Sequence, residues 1–177
     1  LTKSKKNSEN FANKVFSLLT FSLLGLVIVV ELFMPLFVSL IAPGFKSSPE
    51  KFVLAIELTR ITFPFILFIS LASFFSAILN SHNKFAAASA APIILNLVLI
   101  ITLLCAKYLD DHLVIYMSYG VSIAGFIQMI FLIFTLKKIY KPQFKVNFNI
   151  NNKTKRFFKK LLPSIFSSGV TQINILI

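Results

Sequence analysis

Residues 55–65 read AIELTRITFPF and lie inside a long apolar run from Phe52 to Leu79. At about 1.5 Å per residue, a helix of this length crosses the roughly 30 Å hydrocarbon core of a bilayer. Within eight residues, however, the stretch carries an acid, a base and a proline: Glu57, Arg60 and Pro64. A charged side chain in such a run costs about 2.5–3.5 kcal/mol on insertion scales. The stretch therefore predicts a membrane helix whose polar side faces protein or a wet cavity.

The composition of the whole chain indicates a membrane protein. Of its 177 residues, 56% are hydrophobic and 14% are charged, against about 25% charged residues in soluble domains. The net charge of +12 would suggest nucleic-acid binding in a soluble protein. Here all basic residues except Arg60 lie outside the apolar runs, as in the cytoplasmic loops of membrane proteins, so no nucleic-acid partner is predicted. Cys105 is the single cysteine and cannot form an intramolecular disulfide.

The apolar runs predict an all-α, polytopic membrane helical bundle with four full spans and the start of a fifth. The predicted full spans are Phe16–Ala42, Phe52–Leu79, Phe85–Ala106 and Leu113–Leu136. We divide the chain into a cytoplasmic polar segment (1–15), a four-span membrane part (16–136), a basic cytoplasmic loop (137–160) and the start of the next membrane helix (161–177). Because the chain begins without Met and ends within an apolar run, we expect it to be a fragment of a longer protein.

The basic residues predict how the spans are oriented. Of the 18 basic residues, fourteen lie in the N-terminal tail, the loop NSHNK (80–84) and the long loop 137–160, and three lie in the other two loops. Loops rich in Lys and Arg stay in the cytoplasm. The loops APGFKSSPEK (42–51) and KYLDDH (107–112) are therefore expected to face outward.

Three prolines lie inside the predicted spans: Pro35, Pro64 and Pro92. Proline has no N–H to donate to the carbonyl four residues earlier, so each is expected to bend its helix and to free a carbonyl. Bent or broken helices around a cavity are frequent in transporters.

Charged residues inside the spans are candidates for transport. We expect Glu57 and Arg60, three residues apart on one helix face, to pair near the outer end of their span and to face protein. An interfacial ion pair and a cation facing a central cavity both remain open interpretations. Glu31, near the middle of its span, is expected to be either protonated or paired. Gln172 and Asn174 give the last segment a polar start, which suits a helix that faces a wet cavity.

Polar and small residues also predict contacts between helices. Asn96 and Gln128 lie deep in the third and fourth spans, where their side chains can form hydrogen bonds across helices and act as candidate cavity residues or as packing contacts. Ser118, Ser122 and Gly125 follow one another at i, i+4 and i+7, so they share one face of the fourth span. A face of such small residues is typical of close helix packing.

The sequence contains no catalytic constellation. His82 and His112 fall in loops on opposite sides of the predicted membrane, so they cannot meet at one metal ion or in one triad. No glycine-rich phosphate loop is present. Neither an enzyme nor a cofactor is predicted, and the bent, polar spans favour a transporter over a membrane anchor.

Four stretches, in this order and spacing, resemble the MurJ/MviN family of bacterial lipid II flippases. They are LIAPGF (40–45), LTRITFPFILFISLASFFSAILNSHNKF (58–85), AAPIILN (90–96) and GVSIAGFIQ (120–128). The family belongs to the multidrug/oligosaccharidyl-lipid/polysaccharide (MOP) exporter superfamily, which includes MATE-type transporters. The resemblance implies a fold of fourteen membrane helices in two six-helix lobes plus two more, of which this chain would hold the third to sixth and the start of the seventh.

The resemblance also implies an activity. The family moves an undecaprenyl-pyrophosphate-linked peptidoglycan precursor across the bacterial inner membrane by alternating access, so the expected partners are this lipid, the bilayer and the remaining helices. The family's cavity cations lie mainly on helices absent here, and Arg60 lies at a position where the family tends to carry a basic residue. Two alternatives stay open: another MOP-type exporter, of a polysaccharide-lipid or of drugs, with Glu31 as an ion-coupling acid, or a non-transporting split-gene remnant.

Overall fold

The computed structural model describes residues 2–107, 113–137, 139–143, 159 and 163. In these residues the α-helices are α1 (Thr2–Leu32), α2 (Met34–Ile41), α3 (Pro49–Thr62), α4 (Phe65–Ser81), α5 (Phe85–Ala106) and α6 (Leu113–Leu136). A short 3₁₀ helix, Pro43–Ser47, links α2 to α3. No strand occurs in the part of the chain that the structure describes, and the predicted all-α bundle is confirmed. In lipid every backbone polar group must bond within the protein, which favours helices over open strands.

Within the described residues, four helical stretches are long and apolar enough to cross a membrane: Lys6–Leu32, Pro49–Ser81, Phe85–Ala106 and Leu113–Leu136. They agree with the four predicted spans in number and order, and the bounds of α5 and α6 coincide with the third and fourth. The first span differs, because α1 begins at Thr2, inside the polar segment 1–15, and ends at Leu32. The predicted fifth span, 161–177, lies almost wholly outside the described residues, as does most of the basic loop 137–160.

The chain divides into two compact units, Leu1–Leu18 with Pro142–Ile177, and Leu19–Lys141. In the first unit, the backbone N–H of Gln143 donates to the Oδ1 atom of Asn13 at 3.0 Å. The hydroxyl of Ser17 donates to the Asn13 carbonyl at 2.8 Å, and both side chains are buried. Asn13 thus connects the first turns of α1 to a segment 130 residues later in the sequence.

The core of the second unit lies between α4, α5 and α6. Buried side chains of this core include Leu71, Ala72, Phe75 and Leu79 on α4, Ala91 on α5, and Ala124, Leu132 and Leu136 on α6. Helix α6 has the largest buried face, whereas only Ala91 and Ala106 are buried on α5. Phe68 of α4 and Phe126 of α6 meet edge to face, with 5.3 Å between ring centroids. Helix α6 is therefore the element on which the others pack.

Glycines of α6 allow its neighbours to come close, as the predicted small-residue face implies. A Cβ atom on Gly120 would lie 2.5 Å from the Thr102 methyl carbon of α5, and one on Gly125 would lie 2.5 Å from Cδ2 of Phe65 on α4. Real Cβ atoms do not approach so closely, so both positions need glycine. Small residues of this kind allow the backbones of neighbouring membrane helices to approach closely.

The turn between α4 and α5 uses backbone hydrogen bonds that close the end of α4. The N–H of Lys84 donates to the Leu79 carbonyl at 2.9 Å, and the N–H of Asn83 donates to the Asn80 carbonyl at 3.0 Å. Asn83 has φ = 60°, the left-handed conformation that this helix ending requires and that Asn tolerates well. The loop predicted at NSHNK is thus a tight Schellman-type turn.

A second core lies where α1 and α2 meet α3. Val30, Met34 and Val38 are buried and share one helix face. The residues packed against them are Phe37, Phe52, Ala55, Ile56 and Phe63. Phe37 and Phe63 contact edge to face, with ring centroids 5.4 Å apart. This cluster, which we call the α2–α3 core, brings two interrupted helices side by side.

Candidate functional site

The first helix break lies at Phe33, between α1 and α2. Pro35 occupies the first turn of α2 and has no N–H to donate to the Glu31 carbonyl. The surrounding backbone stays hydrogen-bonded: the Phe33 N–H donates to Val29 at 3.1 Å and the Phe37 N–H donates to Phe33 at 3.0 Å. The interruption is therefore a single residue, and it lies two residues after the half-buried acid Glu31.

The second break lies at Phe63 and Pro64, between α3 and α4. Hydrogen bonds there are of the tighter i→i−3 type, from the Ile66 N–H to Phe63 and from the Leu67 N–H to Pro64, both at 3.1 Å. Pro64 cannot donate to the Arg60 carbonyl. The interruption lies where the sequence predicts a bend, and it follows a basic residue by three positions.

A side chain of α6 bonds to the backbone at this second break. The hydroxyl of Ser122 donates to the carbonyl of Ile61 at 2.5 Å. Ile61 belongs to the last turn of α3, where carbonyls lack backbone N–H donors from their own helix. Gly125, on the same face of α6, receives the ring of Phe65 from the first turn of α4. Helix α6 therefore contacts both sides of the break.

Sequence reasoning placed Ser122 on a packing face but did not assign it a partner. The signal was present in principle: a proline marks carbonyls that lose their bonds, and a serine in a neighbouring span can supply the missing donor. The sequence does not show which hydroxyl lies close to the carbonyl that has lost its hydrogen bond. The hydroxyls of Thr62, Thr102 and Ser118, for example, donate to carbonyls within their own helices instead.

Pro92 behaves differently from the other two prolines. Helix α5 runs without interruption from Phe85 to Ala106, with Pro92 inside it and exposed. Pro92 is the eighth residue of α5, so its missing N–H still leaves the Ala88 carbonyl without its usual donor, although the helix continues past it. Among the described residues, Pro35 and Pro64 thus lie at interruptions between helices, and Pro92 lies inside a continuous helix.

The charged residues are arranged otherwise than the sequence indicated. Glu57 and Arg60 are both exposed, and within the described part of the chain no ion pair joins them. The predicted pairing of these two residues is therefore not found. Glu31, the other acid within a span, has a buried Oε1 atom with no hydrogen-bond partner among the described residues.

The uncharged candidates divide into exposed, buried and undescribed positions. Asn96 is exposed on α5, and the structure gives it no hydrogen-bond partner among the described residues. Gln128 is buried, with 4% of its side chain exposed, and its Oε1 atom accepts no hydrogen bond there. A buried polar atom without a partner costs about 1–3 kcal/mol, so Gln128 is a strained position. Gln172 and Asn174 lie outside the described residues.

The paired breaks, with α6 packed against one of them, lie in a chain that matches one family from end to end. A family model described as lipid II flippase MurJ matches residues 1–177. The chain belongs to the lipid II flippase MurJ family. The resemblance that the sequence motifs suggested is confirmed.

Individual MurJ relatives agree with the family model. The chain is 39% identical over 176 residues to a protein of Rickettsia prowazekii (strain Madrid E) named "Probable lipid II flippase MurJ", covering 98% of this chain and 34% of the relative. A protein of the same name from Rhizobium tropici is 37% identical, with 96% and 33% covered. A "Lipid II flippase MurJ" of Burkholderia cenocepacia is 31% identical over 144 residues, with 77% and 27% covered. The chain thus spans about a third of the length of these MurJ relatives.

Proposed function

We propose that the chain forms part of a flippase that moves an undecaprenyl-pyrophosphate-linked peptidoglycan precursor across the bacterial inner membrane by alternating access. The observation that carries this proposal is the MurJ family match over residues 1–177. The partners are the lipid-linked precursor, the bilayer and the remaining helices of a full-length transporter. In this role the chain binds and moves a lipid and performs no covalent chemistry.

The helix breaks support a transport role on physical grounds. A carrier that alternates between two open sides needs elements with two discrete arrangements, and interrupted membrane helices supply them. In this chain two such interruptions lie next to the α2–α3 core, and α6 packs against one of them. The interrupted helices of this part of the flippase would then change conformation during transport, while α6 stays rigid and supports them.

Arg60 is the residue of this chain that we assign to the lipid headgroup. Its guanidinium is permanently charged, and it can donate two parallel hydrogen bonds to a phosphate group. It is exposed on α3 at membrane depth, and Glu57 does not neutralise it by an ion pair. A pyrophosphate group would thus find an available donor there.

The test is a chimera. In a bacterium depleted of its own flippase, the matching third of that flippase is replaced by residues 1–177, and lipid II exposed on the outer leaflet is measured. The proposal expects exposure to recover, because the host supplies the helices that this chain does not. A matched chimera carrying Arg60→Gln is expected to recover at least tenfold less exposure, whereas Glu57→Gln recovers it fully.

Insertion must be measured in the same cells. If the chimera is inserted at normal level and lipid II stays in the inner leaflet, the proposed function is wrong. If the Arg60→Gln chimera works as well as the unchanged one, the assignment of Arg60 to the headgroup is wrong while the function stands.

A further inference from the structure

Glu31 lies on the helix face that forms the α2–α3 core. It is adjacent to the buried Val30, and it precedes Met34 and Val38 by three and seven residues, the spacing of one face. Its Oε1 atom is buried and has no hydrogen-bond partner among the described residues. A carboxylate oxygen in this position has lost its water without gaining a protein donor, so it needs a partner.

Arg60 lies on the opposing face of α3. It follows Ile56 by four residues and precedes Phe63 by three, and both of these side chains pack on the α2–α3 core. The guanidinium itself is exposed and has no ion pair or hydrogen bond among the described residues. An acid and a base thus lie on facing sides of one apolar cluster without touching.

Each of the two charges lies just before a helix break. Glu31 precedes the interruption at Phe33, and Arg60 precedes the interruption at Phe63 and Pro64. A small change at either break therefore changes the separation of the charges. Because the cluster between them is apolar, their attraction is screened less than on a wet surface.

We propose that Glu31 and Arg60 form a charge pair between helices, which closes when the two breaks move together and opens when they move apart. Glu57, one turn from Arg60 on the same helix, is not part of the pair. The pair is a conformational device of the fold and does not depend on which lipid the protein carries.

A double-mutant cycle tests the pair in the full chain in detergent. Glu31→Gln, Arg60→Gln and the double variant are compared by apparent melting temperature. Each single variant is expected to lower the Tm by about 2–4 °C, and the double variant by no more than one of the singles, because the second substitution removes nothing further. The matched control replaces Glu57 by Gln, alone and with Arg60→Gln, and its effects are expected to add.

Charge reversal keeps the test decisive if the single variants fold poorly. Glu31→Arg and Arg60→Glu are each expected to reduce the yield of folded protein, and the two together are expected to restore it. Additive effects in the 31/60 cycle, or a swapped variant no better than either reversal alone, would overturn the proposal. Neither measurement involves lipid II, so the pair and the proposed flippase function stand or fall separately.

Discussion

Ser122 is the residue through which α6 supports an interrupted helix, since its hydroxyl donates to the Ile61 carbonyl. Ser122→Ala removes the donor and leaves that carbonyl in an apolar environment. We expect the free energy of unfolding in detergent to fall by about 1–2 kcal/mol. Ser118→Ala is the matched control, because Ser118 lies one turn away on α6 and donates within its own helix. Equal losses in both variants would show that the link to Ile61 contributes nothing particular.

Gly125 allows α4 and α6 to pack closely because it has no side chain. Gly125→Ala places a methyl group where the Phe65 ring now lies, 2.5 Å from Cδ2. We expect a loss of about 1–3 kcal/mol in unfolding free energy, as in other overpacked sites. Gly25→Ala meets nothing within 4 Å and should be neutral or slightly stabilising. If Phe65→Leu does not rescue Gly125→Ala, the clash lies elsewhere.

At the scale of single residues, the sequence predicts which side chains are important better than it predicts which residues they contact. Residue type and spacing were enough to single out Arg60 and to place Ser122 on a packing face. They were not enough to show that Glu57 and Arg60, three residues apart, would not form an ion pair. A partner three residues away is visible in the sequence, whereas one on another helix depends on how α2 and α3 pack.

At the scale of elements, the prolines and α6 act on the same backbone. Pro64→Ala supplies an N–H and allows α3 and α4 to join, so the carbonyls of the last turn of α3 gain partners within the helix. We therefore expect Ser122→Ala to cost less in a Pro64→Ala background than in the unchanged protein, measured by unfolding in detergent. Pro92→Ala, in the continuous helix α5, should leave the cost of Ser122→Ala unchanged. An unaltered cost in the Pro64→Ala background would mean that tertiary contacts, and not the proline, keep the helix broken.

Helix bounds were predictable where the chain is regular. The predicted third and fourth spans coincide with α5 and α6, because each is an apolar run with clear ends. The first and second spans were predicted as single helices bent by proline. The first is divided at Phe33, whose backbone leaves the helical region, whereas Phe63 and Pro64 keep right-handed helical dihedral angles within one helical stretch, Pro49–Ser81. The length of an apolar run predicts how far a span extends but not whether its helix is continuous. Helix α1 also begins before the apolar run, in the polar segment, because lysine and asparagine do not stop a helix.

At the scale of the whole molecule, the distribution of lysines predicts the orientation. In a Cys105→Ser background, His82→Cys in the α4–α5 turn should be protected from a membrane-impermeant maleimide in intact cells, because the lysine distribution predicts that this turn faces the cytoplasm. Ser47→Cys, in the loop between α2 and α3, should react. Both positions are exposed in the structure. The Cys105→Ser protein without an added cysteine is the control, and the reverse labelling pattern would contradict the predicted topology.

The contact between Ser122 and Ile61 has a consequence for how the protein is made. The two residues are 61 positions apart, so a ribosome working at about 5–20 residues per second needs about 3–12 s to synthesise the donor after the acceptor. During that interval the Ile61 carbonyl has no donor from α6. We therefore expect the α3–α4 pair to reach its final packing only after α6 is inserted.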